Sequence, residues 1–354
     1  MRGVPSRLQQ AWAGRGPLAW MLAPVGALHA AAVRLRQGLY RAGWLASDRL
    51  PVPVIVVGNL VAGGAGKTPT VRALVELLAR NGYSPGVISR GYGGDAAGVV
   101  AVERGTSPRH CGDEPLLLHL RTGVPVFVGA DRLAAGRSLL AAHPHVDVLV
   151  TDDGLQHLRL ERQVQVVVFD ERGVGNGWLL PAGPLREPFS SQVPPRTVVL
   201  YNAPAPTTSW PGTVVQRGLG GAVELSAWWQ GAPAQPQALQ ALRGHRLVAA
   251  AGVARPERFF DMLRAAGLDF EPLPLADHHP YAALPWPPET PDVLVTEKDA
   301  VKLDPARLGS TRAWVAALDF VPSPAFEAHV LRLLESSAPS LAHVAPHAHG
   351  NPSA

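Results

Sequence analysis

Apolar side chains recur at Leu18, Met21, Leu22, Val25, Leu28, Ala32, Leu35 and Leu39, and gaps of three and four residues put them on one face of a helix. Arg34, Arg36 and Arg41 fall among them, with Trp12, Trp20, Tyr40 and Trp44 toward its ends. The uninterrupted apolar run, residues 18–33, is short for a membrane span and contains Pro24 and His29. The stripe also continues past any cleavage point a signal peptide would offer after Arg2, Arg7 and Arg15. Two readings stand: a helix on a membrane surface, arginines at the headgroups and aromatics at the interface, or a helix packed on the protein's own core.

After Arg49 the pattern becomes short β-rich runs alternating with helical ones. Strands are predicted near 52–57, 87–89, 99–102, 124–128, 146–150, 164–169, 198–201, 247–251, 273–275, 293–296 and 314–318. Helices are predicted near 71–78, 116–120, 133–142, 256–266 and 325–334. Strands apolar on both faces that alternate with helices indicate an α/β fold, a mostly parallel sheet covered on both sides. The Gly/Pro-rich stretch between Gly173 and Pro195 is too long for an ordinary connection and is a functional-loop candidate. After Ser336 the chain is small, polar and Pro-rich, so a disordered tail is expected over 337–354. His343, His347 and His349 there have no carboxylate or cysteine neighbours and read as solvated, not as a metal site.

Composition narrows this picture modestly. With 47% hydrophobic and 17% charged residues in 354, the chain is globular rather than disordered. A net charge of +4 permits an anionic partner without choosing one, and dispersed basic residues without interleaved aromatics argue against nucleic acid. Cys111 is the only cysteine, which excludes an internal disulfide and a cysteine zinc site; it reads as a small buried residue.

The chemistry concentrates in VIVVGNLVAGGAGKTPT, a strand, a turn of small residues, and Lys67-Thr68 opening a helix. The candidate nucleotide loop comprises Asn59, Gly63, Gly64, Ala65, Gly66, Lys67 and Thr68. Glycines let backbone N–H groups converge on phosphate oxygens, and the helix N-terminus adds positive potential. Lys67 would reach the β- and γ-phosphates and Thr68 would offer its hydroxyl to Mg²⁺. Val61 and Ala62 depart from the strict Walker and partitioning-ATPase patterns.

Asp152 and Asp153 close the strand VDVLVTDD, where a P-loop protein holds Mg²⁺. Asp113 and Glu114, in GDEP, precede a helix and suit either its cap or a base for an attacking hydroxyl. Asp277, His278 and His279 form a third cluster, and Thr296-Glu297-Lys298-Asp299 suits a base-reading motif or a helix cap.

Taken in order, VPVIVVGNLVAGGAGKTP, SRGYGG, GDEP, VFVGADR, VTDDGLQH, VVVFDERGVGNGWLLPAGPLREP, DHHPY and VTEKDAVKL resemble the tetraacyldisaccharide 4′-kinase family, from the N-terminal helix to about Leu334. The resemblance implies transfer of the ATP γ-phosphate to the 4′-hydroxyl of an acylated glucosamine disaccharide 1-phosphate, giving lipid IV-A in lipid A biosynthesis. It implies a lipid substrate, a peripheral enzyme on the cytoplasmic face of the bacterial inner membrane, ATP and Mg²⁺, and no obligate protein partner. Carried over by motif, Asp113 and His278 are the catalytic pair with Lys67, and Thr68, Asp152, Asp153 and Glu114 surround the metal. Arg132, Arg172 and Arg186 are candidates for the substrate's 1-phosphate, or structural ion pairs. Val61, where Ser or Thr is frequent, and Leu155, where an aromatic is common, depart from the family. The expected architecture is a P-loop NTPase-like domain over 49–165, rejoined by a C-terminal helix at 320–336, a second smaller α/β domain over 166–319, and a membrane-surface helix within 1–48. The competing reading is a membrane-associated switch or partitioning ATPase, which would release free phosphate.

Overall fold

The computed structural model describes residues 10–337; the tail expected over 337–354 falls almost wholly outside them, as do its three histidines. Helix α1, Pro17–Arg41, carries the N-terminal stripe. Pro17 opens it, where the missing N–H has no intrahelical partner to lose. Trp20, Met21, Val25, Leu28 and Leu35 are exposed, while Ala19, Gly26 and Ala30 form the narrow buried face. The helix is long and apolar enough to cross a membrane by length and composition.

The first sheet has eight strands: β1 Val54–Gly58, β2 Pro85–Ser89, β3 Val100–Val102, β4 Val126–Val128, β5 Val148–Thr151, β6 Val164–Asp170, β7 Thr197–Asn202 and β8 Thr213–Val214. Their order is β3-β4-β2-β5-β1-β6-β7-β8, parallel throughout except where β3 pairs antiparallel with β4. Every residue of β1, β2, β4, β5 and β7 is buried, as expected of strands covered on both faces. The covering helices include α2 Lys67–Arg80, α3 Pro108–Cys111, α4 Asp113–Thr122 and α5 Arg132–Ala142. Cys111 is buried, in keeping with the sequence reading.

β1 lies between β5 and β6 in this order, and the chain leaves it in opposite directions on either side. Such a reversal opens a crevice beyond the strands' carboxyl ends, where α/β proteins bind ligands.

The second sheet contains β9 Gln216–Glu224, β10 Leu247–Ala251, β11 Glu271–Pro274, β12 Asp292–Thr296 and β13 Arg312–Val321. Its order is β11-β10-β12-β13-β9, with only β9 antiparallel to its neighbour. Helices α6 Leu225–Trp229, α7 Pro236–Ala241, α8 Pro256–Ala265 and α9 Glu297–Ala300 accompany it. The last helix, α10 Pro324–Glu335, packs back on β6 and β7 of the first sheet.

The boundary expected at 165/166 is therefore corrected. β6 pairs with β1 and β7 pairs with β6, so both continue the first sheet. The chain passes to the second sheet only at Val215, between Val214 and Gln216. The Gly/Pro-rich stretch after β6, the functional-loop candidate of the sequence, folds back against the turn that follows β1. Ala62 N–H donates to Pro184 O, and Arg186 N–H donates to Leu60 O.

Candidate functional site

The phosphate-type loop sits at the carboxyl end of β1. Gly66, the N-cap of α2, has φ 95°, and Gly63 has φ 97°, both in the region that favours glycine. Asn59 is fully buried and braces the turn from within. Its Nδ2 donates to Val61 O at 2.6 Å and Gly63 O at 3.1 Å, and its Oδ1 accepts from Lys67 Nζ at 3.4 Å. Both its polar ends are engaged inside the loop, so it shapes the cradle rather than lining it. Asn202, at the end of β7, donates to Ala65 O. Leu155 packs beneath Gly58 at the root of the loop, where an added Cβ would come 2.6 Å from Leu155 Cγ.

The two acids after β5 part company. Asp153 has φ 50° and accepts from Arg186 Nη1 at 2.8 Å, with Lys67 Nζ at 3.7 Å. Asp152 is buried, and its Oδ1 has no hydrogen-bond partner. Burial, then the nearby charge of Glu114, pushes its carboxyl up to about 7. The charges of Lys67 and Arg132 offset this only in part. Among the described residues no three His, Cys, Asp or Glu side chains close into a metal cluster. Asp152, Thr68 and Glu114 offer the cleft oxygen donors, the type a divalent ion takes together with phosphate oxygens.

Asp113 begins α4 directly after Gly112, whose φ of 89° lets the chain pass close beneath Tyr92 O. Its carboxylate does not cap the helix. It accepts instead from His278 Nδ1, at 3.0 Å to Oδ2 and 3.2 Å to Oδ1, across 165 residues of sequence. Burial would raise the Asp113 carboxyl, but the His278 hydrogen bond and the Lys302 and Lys298 charges outweigh it and hold it below the usual range. The same hydrogen bond raises the His278 imidazole, against burial and the charge of Lys298. His278 has φ 58°, with its N–H bonded to Gly252 O beyond β10. Both sheets thus present their carboxyl ends to one cleft. The exposed Tyr92 ring lies 5.7 Å from the His278 ring.

The Thr296–Asp299 segment caps and organises α9. Thr296 Oγ1 accepts from Asp299 N–H, and Asp299 accepts from Gly252 N–H at 3.0 Å. Lys298 reaches Glu114 Oε1, Asp277 Oδ1 and His278 Nε2, each at 3.2 Å. Glu297 is buried between Arg121 at 2.9 Å and Arg72 at 3.3 Å. Arg72 belongs to α2 and Arg121 to α4, so one carboxylate fastens both helices of the first domain to the second. The sequence marks the TEKD motif without revealing either contact.

Of the three candidate arginines, Arg186 and Arg132 line the cleft. Arg132 is buried, donating to the carbonyls of Ala130 and Asp153. Arg172 pairs with the fully buried Asp170 at 2.9 Å and donates to Ala62 O, so it buttresses the loop instead. Arg255 joins it on Asp170 at 3.1 Å, and Arg258 reaches Glu171 at 2.7 Å. The cleft between the domains has a volume of about 930 Å³ and collects Lys67, Thr68, Glu114, Asp152, Asp153 and His278 along its walls.

The family model described as Tetraacyldisaccharide-1-P 4'-kinase matches residues 18–335. A tetraacyldisaccharide 4'-kinase of Methylibium petroleiphilum is 57% identical over 324 residues, 90% of each chain. That of Leptothrix cholodnii is 53% identical over 340 residues, 95% of this chain and 98% of the relative. The crystal structure of LpxK from Aquifex aeolicus in complex with ATP superposes with a TM-score of 0.73 at 27% identity, over 90% of this chain and 99% of that one. With a family model spanning nearly all of its described residues and relatives above half identical along its length, the chain belongs to the tetraacyldisaccharide-1-P 4'-kinase family.

Proposed function

We propose that this kinase moves the γ-phosphoryl group of ATP to the 4′-hydroxyl of tetraacyldisaccharide 1-phosphate, with Asp113 taking the hydroxyl's proton. The contact between Asp113 and His278 carries this reading, because it joins the two domains at the mouth of the cleft that holds Lys67. A sugar hydroxyl is a poor nucleophile, and a positioned base removing its proton contributes ~10²–10⁴-fold. Asp113 is held anionic and has a second oxygen edge for that hydroxyl; His278 fixes the carboxylate's orientation through Nδ1–H. Lys67 and the N–H groups of residues 63–68 would spread the charge of the transferring group. Thr68, Asp152 and Glu114 are the residues that would hold Mg²⁺, which when bound neutralises phosphate charge; Asp153, the third acid the family resemblance offers, is paired with Arg186 and Lys67 and would reach the ion only by exchanging them. Closure of the two domains on the substrate would limit access of water to the phosphoryl group.

The N-terminal helix supports a membrane-surface location, on the cytoplasmic side of the inner membrane where ATP is available. Trp20 is 62% exposed, Met21 70%, Leu28 73% and Trp44 80%, an apolar face that a soluble environment does not reward. The substrate's acyl chains would remain in the bilayer while its sugar enters the cleft. Incubation with γ-labelled ATP, Mg²⁺ and tetraacyldisaccharide 1-phosphate in detergent tests the transfer, with Lys67→Ala as control. Label in the lipid that disappears in the variant is expected. Label in free phosphate alone would favour the switch ATPase instead.

A further inference from the structure

Lys298 stands one atom behind the proposed base pair, and its surroundings are unusually complete. An ammonium has three N–H donors and no acceptor. Here each donor has one acceptor: Glu114 Oε1, Asp277 Oδ1 and His278 Nε2, each 3.2 Å from Nζ. Glu114 comes from α4 of the first domain, whereas Asp277, His278 and Lys298 come from the second. The ammonium is four-fifths or more enclosed, with 18% of the side chain exposed. Burial alone would lower its pKa, but Glu114, Asp277 and Asp113 reverse that, so it remains a cation. The backbone that delivers it is itself fixed by the Thr296 cap on α9 and by Asp299 at Gly252 N–H.

This arrangement dictates the proton on His278. Lys298 can only donate, so the ring nitrogen facing it, Nε2, must be the acceptor. An ionised Asp113 can only accept, so Nδ1 must carry the hydrogen. The tautomer follows from the two neighbours rather than from the ring. We propose that Lys298 is a positioning residue for the phosphoryl transfer: it locks His278 as the Nδ1–H tautomer and thereby aims the Asp113 carboxylate at the acceptor hydroxyl. This rests on the assignment of Asp113 as the base. With Nε2 engaged by Lys298, His278 has no vacant nitrogen to relay the proton onward, so the proton taken from the sugar by Asp113 does not leave through the ring. The remaining charged groups around this chain are Lys302, 3.6 Å from Asp113, and Asp277, 3.9 Å from His278 Nε2. Neither can set the tautomer: Lys302 does not reach the ring in this arrangement, and an accepting Asp277 would favour the opposite one.

Two measurements test it. In nitrogen-labelled wild-type protein at mildly alkaline pH, with His278→Asn used to assign the signal, His278 should show a bare Nε2 and a protonated Nδ1. A bare Nδ1, or no preference between the two, overturns the proposal without any variant having to fold. For Lys298→Met we expect kcat to fall ~10²-fold, the lower end of acid–base contributions, with KM for ATP unchanged to about twofold. Its His278 signal should show mixed tautomers, and Lys298→Arg, which retains a donor, should recover part of kcat. A raised KM for ATP at unchanged kcat would mean that Lys298 acts only through Glu114, and the proposal falls. Asp113→Asn separates the two levels. If Asp113→Asn keeps wild-type kcat, the base assignment fails; if it is inactive while Lys298→Met is normal, only the role of Lys298 fails.

Discussion

Two buried carboxylates face the same cleft from different corners of the first domain, and their surroundings push them in opposite directions. Asp113, at the start of α4, accepts from His278 and lies among the charges of Lys302 and Lys298, all from the second domain. Asp152, beyond β5, has an unpartnered oxygen, a like charge at Glu114 and a fully buried position. One corner is paired by the protein's own cations, whereas at the other Lys67 and Arg132 offset burial only in part. On the proposed function, the difference suits a division of labour in which the protein builds its base beforehand and the nucleotide with its ion brings the countercharge. Asp153 shows why adjacency in sequence says little here: one residue away, it is already neutralised by Arg186 and Lys67.

The strongest way to break the contrast is to remove the completed corner. Asp113→Asn should lower kcat ~10²–10⁴-fold with little change in KM for ATP. Steady-state kinetics decides it, and a parallel rise in KM would move Asp113 to substrate binding. Next in size, Glu297→Ala leaves Arg72 and Arg121 without the buried acid that ties α2 and α4 to the second domain. A loss of about 3 kcal/mol in urea unfolding is expected, as for removing one partner of a buried pair. A loss within experimental error would mean that water replaces the acid.

pH sharpens the comparison. The folded-state Asp152 carboxyl is raised to about 7, so its contribution to stability is intact at low pH and is lost as pH rises through that value. Asp113 is lowered, so its contribution is present above the unfolded-state value of about 4 and is lost as pH falls through the folded one. Without Mg²⁺ and nucleotide, Asp152→Asn should therefore gain stability over wild type most clearly above pH 7. Asp113→Asn should lose stability across the neutral range. Denaturation midpoints of both variants against pH would show opposite trends; parallel curves would refute the assignment. The smallest effect is expected for Thr296→Val, about 1 kcal/mol for a lost helix cap, with a larger relative loss in kcat because Lys298 stands on that helix. Stability and rate measured together would separate the two.

What the sequence discloses here depends on chain distance. The loop from Gly63 to Thr68 is legible because its strand, glycines, lysine and helix are contiguous, and each has a local physical job. The same holds for Asp152 and Asp153 at a strand end. Asp113 and His278 stand out singly, as a cap or base and as part of a cluster, but their pairing is legible only through family resemblance, since nothing in their spacing shows that a left-handed backbone at His278 turns its ring onto α4. Glu297 and Lys298 escaped because the TEKD motif looks complete as a cap, and Thr296 does cap; its other residues act across the domain boundary. β9 escaped because QRGLGGAVE carries three glycines and no alternation, and it is held by pairing with β13. The domain boundary is hidden for a related reason: that β6 and β7 continue the first sheet is decided by pairing with β1, which no local pattern records. Residues 173–195, a functional-loop candidate by length, use their backbone polar groups in folding back on the loop.

That fold-back gives the molecule a single transmission shaft. On one side, Asn176 Nδ2 donates to the carbonyls of Ala11, Gly14 and Ala182, and Trp12 Nε1 donates to Pro181 O. Gly26 lets α1 approach Ala182 closely, where an added Cβ would meet its methyl at 3.0 Å. On the other side, Pro184 and Arg186 hold the backbone of Ala62 and Leu60, immediately before the glycines. A tilt or change of depth in the N-terminal helix would therefore be felt at the loop within a few covalent and hydrogen-bonded links. The seating of the N-terminal helix and the shape of the phosphate-type loop, usually independent quantities, are joined in this chain by one run of hydrogen bonds.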